Sequence, residues 1–148
     1  MSQRIPLPHG GPQGSSALYA LVVFSDQTDL PWLRVLKHGF RHCFLAMLQG
    51  SRWLIYDPLL HRTEIVALDL PMDFDLADWY RAHGLRVVAA NVRPAPLPPA
   101  TLAPWAHLPL RPFTCVEAVK RVLGIQAANI FTPWQLYRHL HPKTGRGF

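Results

Sequence analysis

Arg111-Pro112-Phe113-Thr114-Cys115-Val116-Glu117-Ala118-Val119-Lys120-Arg121-Val122-Leu123-Gly124-Ile125 is the stretch from which the rest of the chain is best read. Thr114 and Glu117 have the spacing of a helix N-terminal capping box, which makes Cys115 the first helical residue. Val116, Val119, Val122 and Leu123 supply an apolar stripe at helical spacing, and Gly124 is the stop. A thiol at that point lies among unpaired backbone N–H groups at the positive end of a helix dipole. Both favour thiolate over thiol, and the same N–H groups suit an oxyanion. The plainer reading is a cysteine that fills space in a core.

The sequence around this helix predicts one α+β domain. At 148 residues the chain is long enough for a single real core, and its 49% apolar content is that of a globular protein. Ala17–Ser25 reads as a buried strand, and Leu30–Lys37 as one or two helical turns capped by Asp29. Arg41–Gln49 and Arg52–Asp57 read as a hairpin turning at Gln49-Gly50-Ser51 and closed by Pro58. His61–Leu70 extends the meander, Asp73–His83 has helical character, and Leu85–Val92 is a further strand. Thr132-Pro133-Trp134-Gln135 opens a last helix with Thr at the cap, Pro first and Gln third. The expected architecture is an antiparallel sheet of about five strands with the C-terminal helices packed on one face. Residues 1–16 read as a flexible arm, 17–140 as the domain and 141–148 as a flexible tail. The six prolines between Pro94 and Pro109 make 94–110 an extended segment crossing the core.

Composition narrows the function classes. Two cysteines, Cys43 and Cys115, are neither a disulfide framework nor a four-ligand zinc pattern, although a Cys43–Cys115 bridge stays open. No metal or organic cofactor is called for. No apolar run has the length of a membrane span, and the first residues lack a secretory signal core. The expected setting is therefore cytoplasmic or particle-associated. The net charge of +6 is uneven: after Asp78 the only acid is Glu117, against nine Lys and Arg. Such a surface can meet an acidic polymer or protein partner. Nucleic acid ranks last, since no recognition motif supports it.

A cysteine nucleophile needs an imidazole within hydrogen-bond reach and a third polar group to orient the ring. Of eight histidines, His42 is the best placed, at the head of an otherwise apolar strand and sharing a face with Phe44, Ala46 and Leu48. His38 lies close by. Asp57 ends the hairpin partner of the His42 strand, so the turn at Gly50 brings it beside His42. Whether both side chains share a face depends on register. Taken singly, His42 reads as a solvated strand-edge residue and Asp57 as an Asp-Pro turn opener.

Thr114–Ile125 followed by Thr132-Pro133-Trp134-Gln135-Leu136-Tyr137 resembles the nucleophile helix and following segment of the NlpC/P60 branch of papain-like cysteine peptidases. The histidine strand here precedes the cysteine helix. That order is similar to the circularly permuted members, which include lecithin:retinol-acyltransferase-like proteins and many bacterial and phage proteins. The resemblance covers roughly Phe40 to Leu140 and is pointed only at the cysteine helix. It implies a thiol hydrolase, cleaving an amide bond through a Cys115 thioester with His42 as base and Asp57 orienting it. Peptide, including peptidoglycan stem peptide, is the implied substrate. The sequence departs from the family's H-x-G-type pattern at His42-Cys43. The competing expectation is a catalytically idle papain-like module that binds a protein partner in a virion or other assembly.

Overall fold

Leu18-Tyr19-Ala20-Leu21-Val22-Val23-Phe24-Ser25 is apolar on both alternating sets of positions, and such a strand must be covered on both faces. In the computed structural model, which describes residues 18–28, 31–59, 61–93 and 114–141, this strand (β1, Leu18–Ser25) is buried from Ala20 onward. The other strands are β2 (His42–Gln49), β3 (Arg52–Pro58), β4 (Thr63–Leu68) and β5 (Arg86–Val92). They form one antiparallel sheet in the order β4-β3-β2-β1-β5. The hairpin turns where expected, with Gln49 opposite Arg52 and Gly50 at φ +62°.

Helices cover both faces. Ala20, Val22 and Phe24 of β1, with Cys43 and Leu45 of β2, pack under α2 (Cys115–Leu123) and α3 (Pro133–Leu140) through Val116, Val119, Leu123 and Leu136. Leu21, Val23 and Ala46 face the opposite way, under Leu76 and Tyr80 of α1 (Leu76–Ala82). The two C-terminal helices thus share a face, as the sequence predicts, while α1 takes the other. α1 is also shorter than the expected Asp73–His83. Asp75 caps it, its carboxylate accepting from the Asp78 N–H at 2.9 Å.

α3 begins with a complete capping box. Thr132 accepts from the Gln135 N–H at 3.2 Å, and the Gln135 side chain accepts from the Thr132 N–H at 3.0 Å. An aromatic cluster seats it on the end of β1. Phe40 lies 4.8 Å from Trp134 and 4.9 Å from Tyr137, and Phe24 lies 5.4 Å from Tyr137, centroid to centroid. The expected turns before β2 are a 3₁₀ segment, Pro31–Val35, rather than an α-helix. Asp26 ties down the loop that follows it, accepting from the Gly39 N–H at 2.7 Å and from Arg41 Nη1 at 3.1 Å. The expected arm 1–16, the proline segment 94–110 and the tail from residue 142 lie outside the described residues.

Candidate active site

Three elements meet at the start of β2. The first is the N-terminus of α2. Thr114 is extended (φ −105°, ψ 161°), and its Oγ1 accepts from the Glu117 N–H at 3.2 Å. Cys115 is therefore the first helical residue, as the capping pattern predicts. The Glu117 carboxylate accepts from Lys120 at 3.1 Å and from Arg121 at 3.4 Å. Lys120 is itself buried, and its Nζ also donates to the Ile130 carbonyl at 3.2 Å. That bond fixes the connector from α2 to α3, so Phe131 and Pro133 form a wall beside Cys115.

The second and third elements are the two strands of the hairpin. Leu45 pairs with Tyr56. One step further along this register, Phe44 faces Asp57, which puts Asp57 on the diagonal from His42 and on the same face. The register left open by the sequence thus puts both side chains on one face. His42 Nε2 lies 2.6 Å from Asp57 Oδ1, and the two side chains are 15% and 25% exposed. Strand alternation groups His42 with Phe44 and Ala46, on the α1 side of the sheet. Because His42 is the first residue of β2, its ring sits at the strand's end, close enough to Cys115 for each group to shift the other's pKa.

The charges at the site reinforce each other. Burial alone would push the His42 ring toward its neutral form. Hydrogen bonds to Asp57 and Cys115, and the negative charge on both, outweigh it and raise its pKa from 6.5 to about 9. For Cys115 the largest influence is a hydrogen bond from the Cys43 thiol, which stabilises the thiolate. Burial opposes it, but the His42 ring and the Cys43 backbone N–H add to it, and the pKa falls from 9.0 to about 5. At neutral pH the site is a thiolate–imidazolium pair. Cys43 behaves oppositely: fully buried, its thiol is pushed well above the ordinary value and stays protonated.

The pair opens into a cleft of about 310 Å³. Its walls are largely apolar, from Trp32, Leu33 and Leu36 of the 3₁₀ region, Leu59 after β3, and Phe131 and Pro133. Arg41 and Arg62 also reach it, but each is paired, with Asp26 at 3.1 Å and Glu64 at 2.6 Å.

Among the described residues, no other histidine joins the His42–Asp57 pair. His38 pairs with Asp26 at 3.1 Å and is largely exposed. The His83 ring donates from Nδ1 to the Trp79 carbonyl oxygen at 2.7 Å and lies against the Trp79 ring. His61 lines the cleft from an exposed position. Among the described residues both cysteines are free, no group of His, Cys, Asp and Glu is arranged to hold a metal ion, and no helix is long and apolar enough to cross a membrane. The sequence places helical turns at Leu30–Lys37 but gives no sign that they wall a cleft, and Cys43 reads as ordinary strand filling.

No protein-family model matches the chain, and neither the curated proteins nor the solved structures searched contain a match.

Proposed function

We propose that the chain is a thiol acyl hydrolase of papain-like design, circularly permuted so that base and orienting carboxylate precede the nucleophile. The observation that carries this reading is the convergence of Cys115, at a capped helix N-terminus, with a His42–Asp57 pair 2.6 Å apart at the mouth of a cleft. A thiolate–imidazolium pair at neutral pH is the reactive form of a cysteine nucleophile, and an idle structural module has no use for it.

In this reading the reaction runs through an acyl thioester. The Cys115 sulfur attacks the carbonyl carbon of an amide. The resulting oxyanion is held by the N–H groups of the first turn of α2, where those of Cys115 and Val116 have no acceptor within the helix. His42 gives its proton to the departing amine, leaving an acyl thioester on Cys115. The neutral ring then takes a proton from water, the hydroxide attacks the thioester, and the carboxylic acid leaves as the sulfur returns to thiolate. Asp57 keeps Nε2 protonated throughout, so that Nδ1 faces the chemistry.

The lining of the cleft supports a peptide or similar amide with an apolar group beside the scissile bond. Arg41 and Arg62 are already neutralised, so a densely charged flank gains little there. Cell-wall peptide stays within this class where an apolar side chain adjoins the bond.

The test is a panel of fluorogenic acyl-amides whose acyl residue runs from leucine and phenylalanine to aspartate and lysine. Turnover is expected to favour the apolar members, with an acyl adduct on the Cys115 peptide after acid quench. Cys115→Ala is expected to remove both, a loss of about 10³-fold or more in rate. Turnover that survives Cys115→Ala would overturn the proposal, as would a protein that turns over none of the panel and forms no adduct.

A further inference from the structure

Ile130 and Phe131 are neighbours in sequence with opposite surroundings. Ile130 is buried in the core beneath α2 and α3. Phe131 is 67% exposed, belongs to neither apolar core and lines the cleft beside Cys115. The peptide unit that joins the two is bonded on both sides. Its carbonyl accepts from Lys120 Nζ at 3.2 Å, and its N–H donates to Gln135 Oε1 at 2.9 Å. Gln135 is itself fixed by the capping box of α3, and Lys120 by Glu117 at 3.1 Å. Two helices therefore pin one peptide plane, and Phe131 hangs from it.

Packing explains neither residue. A lysine is almost never fully buried unless paired, and an apolar side chain of similar length would fill the same space at no loss of stability. What such a side chain lacks is a donor for the Ile130 carbonyl. An exposed phenylalanine adds nothing to a core, and here it is not alone. Trp32, on the 3₁₀ segment, is 62% exposed and lines the same cleft. The occupant that covers these surfaces is set by the reactive group among them: it must present a carbonyl to Cys115.

We infer that Phe131 is the specificity-determining residue of the cleft, its ring covering the apolar acyl side chain that adjoins the scissile amide, and that Lys120 is a positioning residue holding it there from within α2. The inference rests on the proposed amide hydrolysis and deepens it by naming the residue that selects the substrate. A ring on a pinned backbone loses little freedom when a substrate binds, so its contact counts almost in full toward selectivity. Alanine at position 131 would leave one side of that acyl group in water, whereas tyrosine would keep the aromatic face. Methionine at position 120 would fill the space of the lysine and release the Ile130 carbonyl.

The experiment compares the phenylalanine and lysine members of the acyl-amide panel by the ratio of their kcat/KM values. Phe131→Ala is expected to lower that ratio about tenfold, chiefly through the KM of the phenylalanine member, the scale of one aromatic contact with an apolar group. Phe131→Tyr is expected to hold it within about twofold. Lys120→Met is expected to lower it about fivefold, since a loosened wall keeps only part of the contact. A lysine with a merely structural role would lower the urea midpoint and leave the ratio alone, which would overturn its assignment. If Lys120→Met does not fold, Gln135→Leu takes its place, because it frees the other side of the same peptide unit from an exposed position. A ratio unmoved by Phe131→Ala would overturn the inference and leave the hydrolase reading standing. Equilibrium titration of the same two amides onto Cys115→Ala reads the preference without turnover. A binding preference that Phe131→Ala removes, in a protein whose wild type cleaves neither amide, would keep the inference and overturn the hydrolase reading. No preference in binding or in turnover would overturn both.

Discussion

Asp57 sets the charge of His42 from a distance of 2.6 Å, and this contact separates the paired site from a lone thiol. Asp57→Asn keeps the shape but removes the charge, and an amide NH₂ turned to Nε2 would favour the wrong ring tautomer. The His42 pKa is expected to fall from about 9 toward 6.5, drawing the alkaline limit of activity down with it. The hydrolysis rate near pH 8 is expected to drop about 10²-fold, checked by a pH–rate profile of the variant. His42, Asp57 and Cys115 were all legible in the sequence because each breaks a local pattern. His42 is polar at the head of an apolar strand, Asp57 precedes a proline, and Cys115 follows a cap. Cys43 breaks none. A cysteine among Phe44, Leu45 and Ala46 is what a buried strand ordinarily contains, and nothing in the sequence sets it apart.

At the scale of the elements, α2 is held at both ends, by Thr114 and by Gly124. Gly124 adopts φ +69°, and a Cβ there would lie 2.7 Å from the Arg93 carbonyl oxygen, a backbone atom with little freedom to move. Gly84 has φ +81° with open space around it. Gly124→Ala is therefore expected to cost more than Gly84→Ala, about 2–3 kcal/mol against about 1, since it adds a clash to the left-handed strain. Urea unfolding of the two variants checks the ranking. Gly50, Pro58, Gly84, Gly124, Thr114 and Thr132 are also why the element boundaries could be read in advance: each imposes a backbone conformation or supplies a cap. Placement was less legible. β1 is apolar on both sides and accepts neighbours on either edge, so nothing local to it says that β5 joins beside it or that α1 covers the reverse face.

At the scale of the whole molecule, the paired charges couple the site to stability. His42 has a raised pKa, so its contribution is fully present below 6.5 and disappears as pH rises through about 9. Cys115 has a depressed pKa, so its contribution is fully present above 9.0 and disappears as pH falls through about 5. Between 6.5 and 9 the loss of one is matched by the gain of the other. Between 6.5 and 5 only the Cys115 term changes, and the protein is expected to lose about 2 kcal/mol. Denaturant unfolding at pH 5 and pH 7, compared with Cys115→Ala, checks this: the variant should lack that drop.

The order of the elements along the chain has a temporal side. Ribosomal synthesis delivers β2 and β3, with His42 and Asp57, before it delivers α2. Until the late helix docks, Cys115 lacks the His42 imidazolium that lowers its pKa. Under the proposed chemistry, a nascent or partly unfolded chain is therefore disarmed until α2 docks.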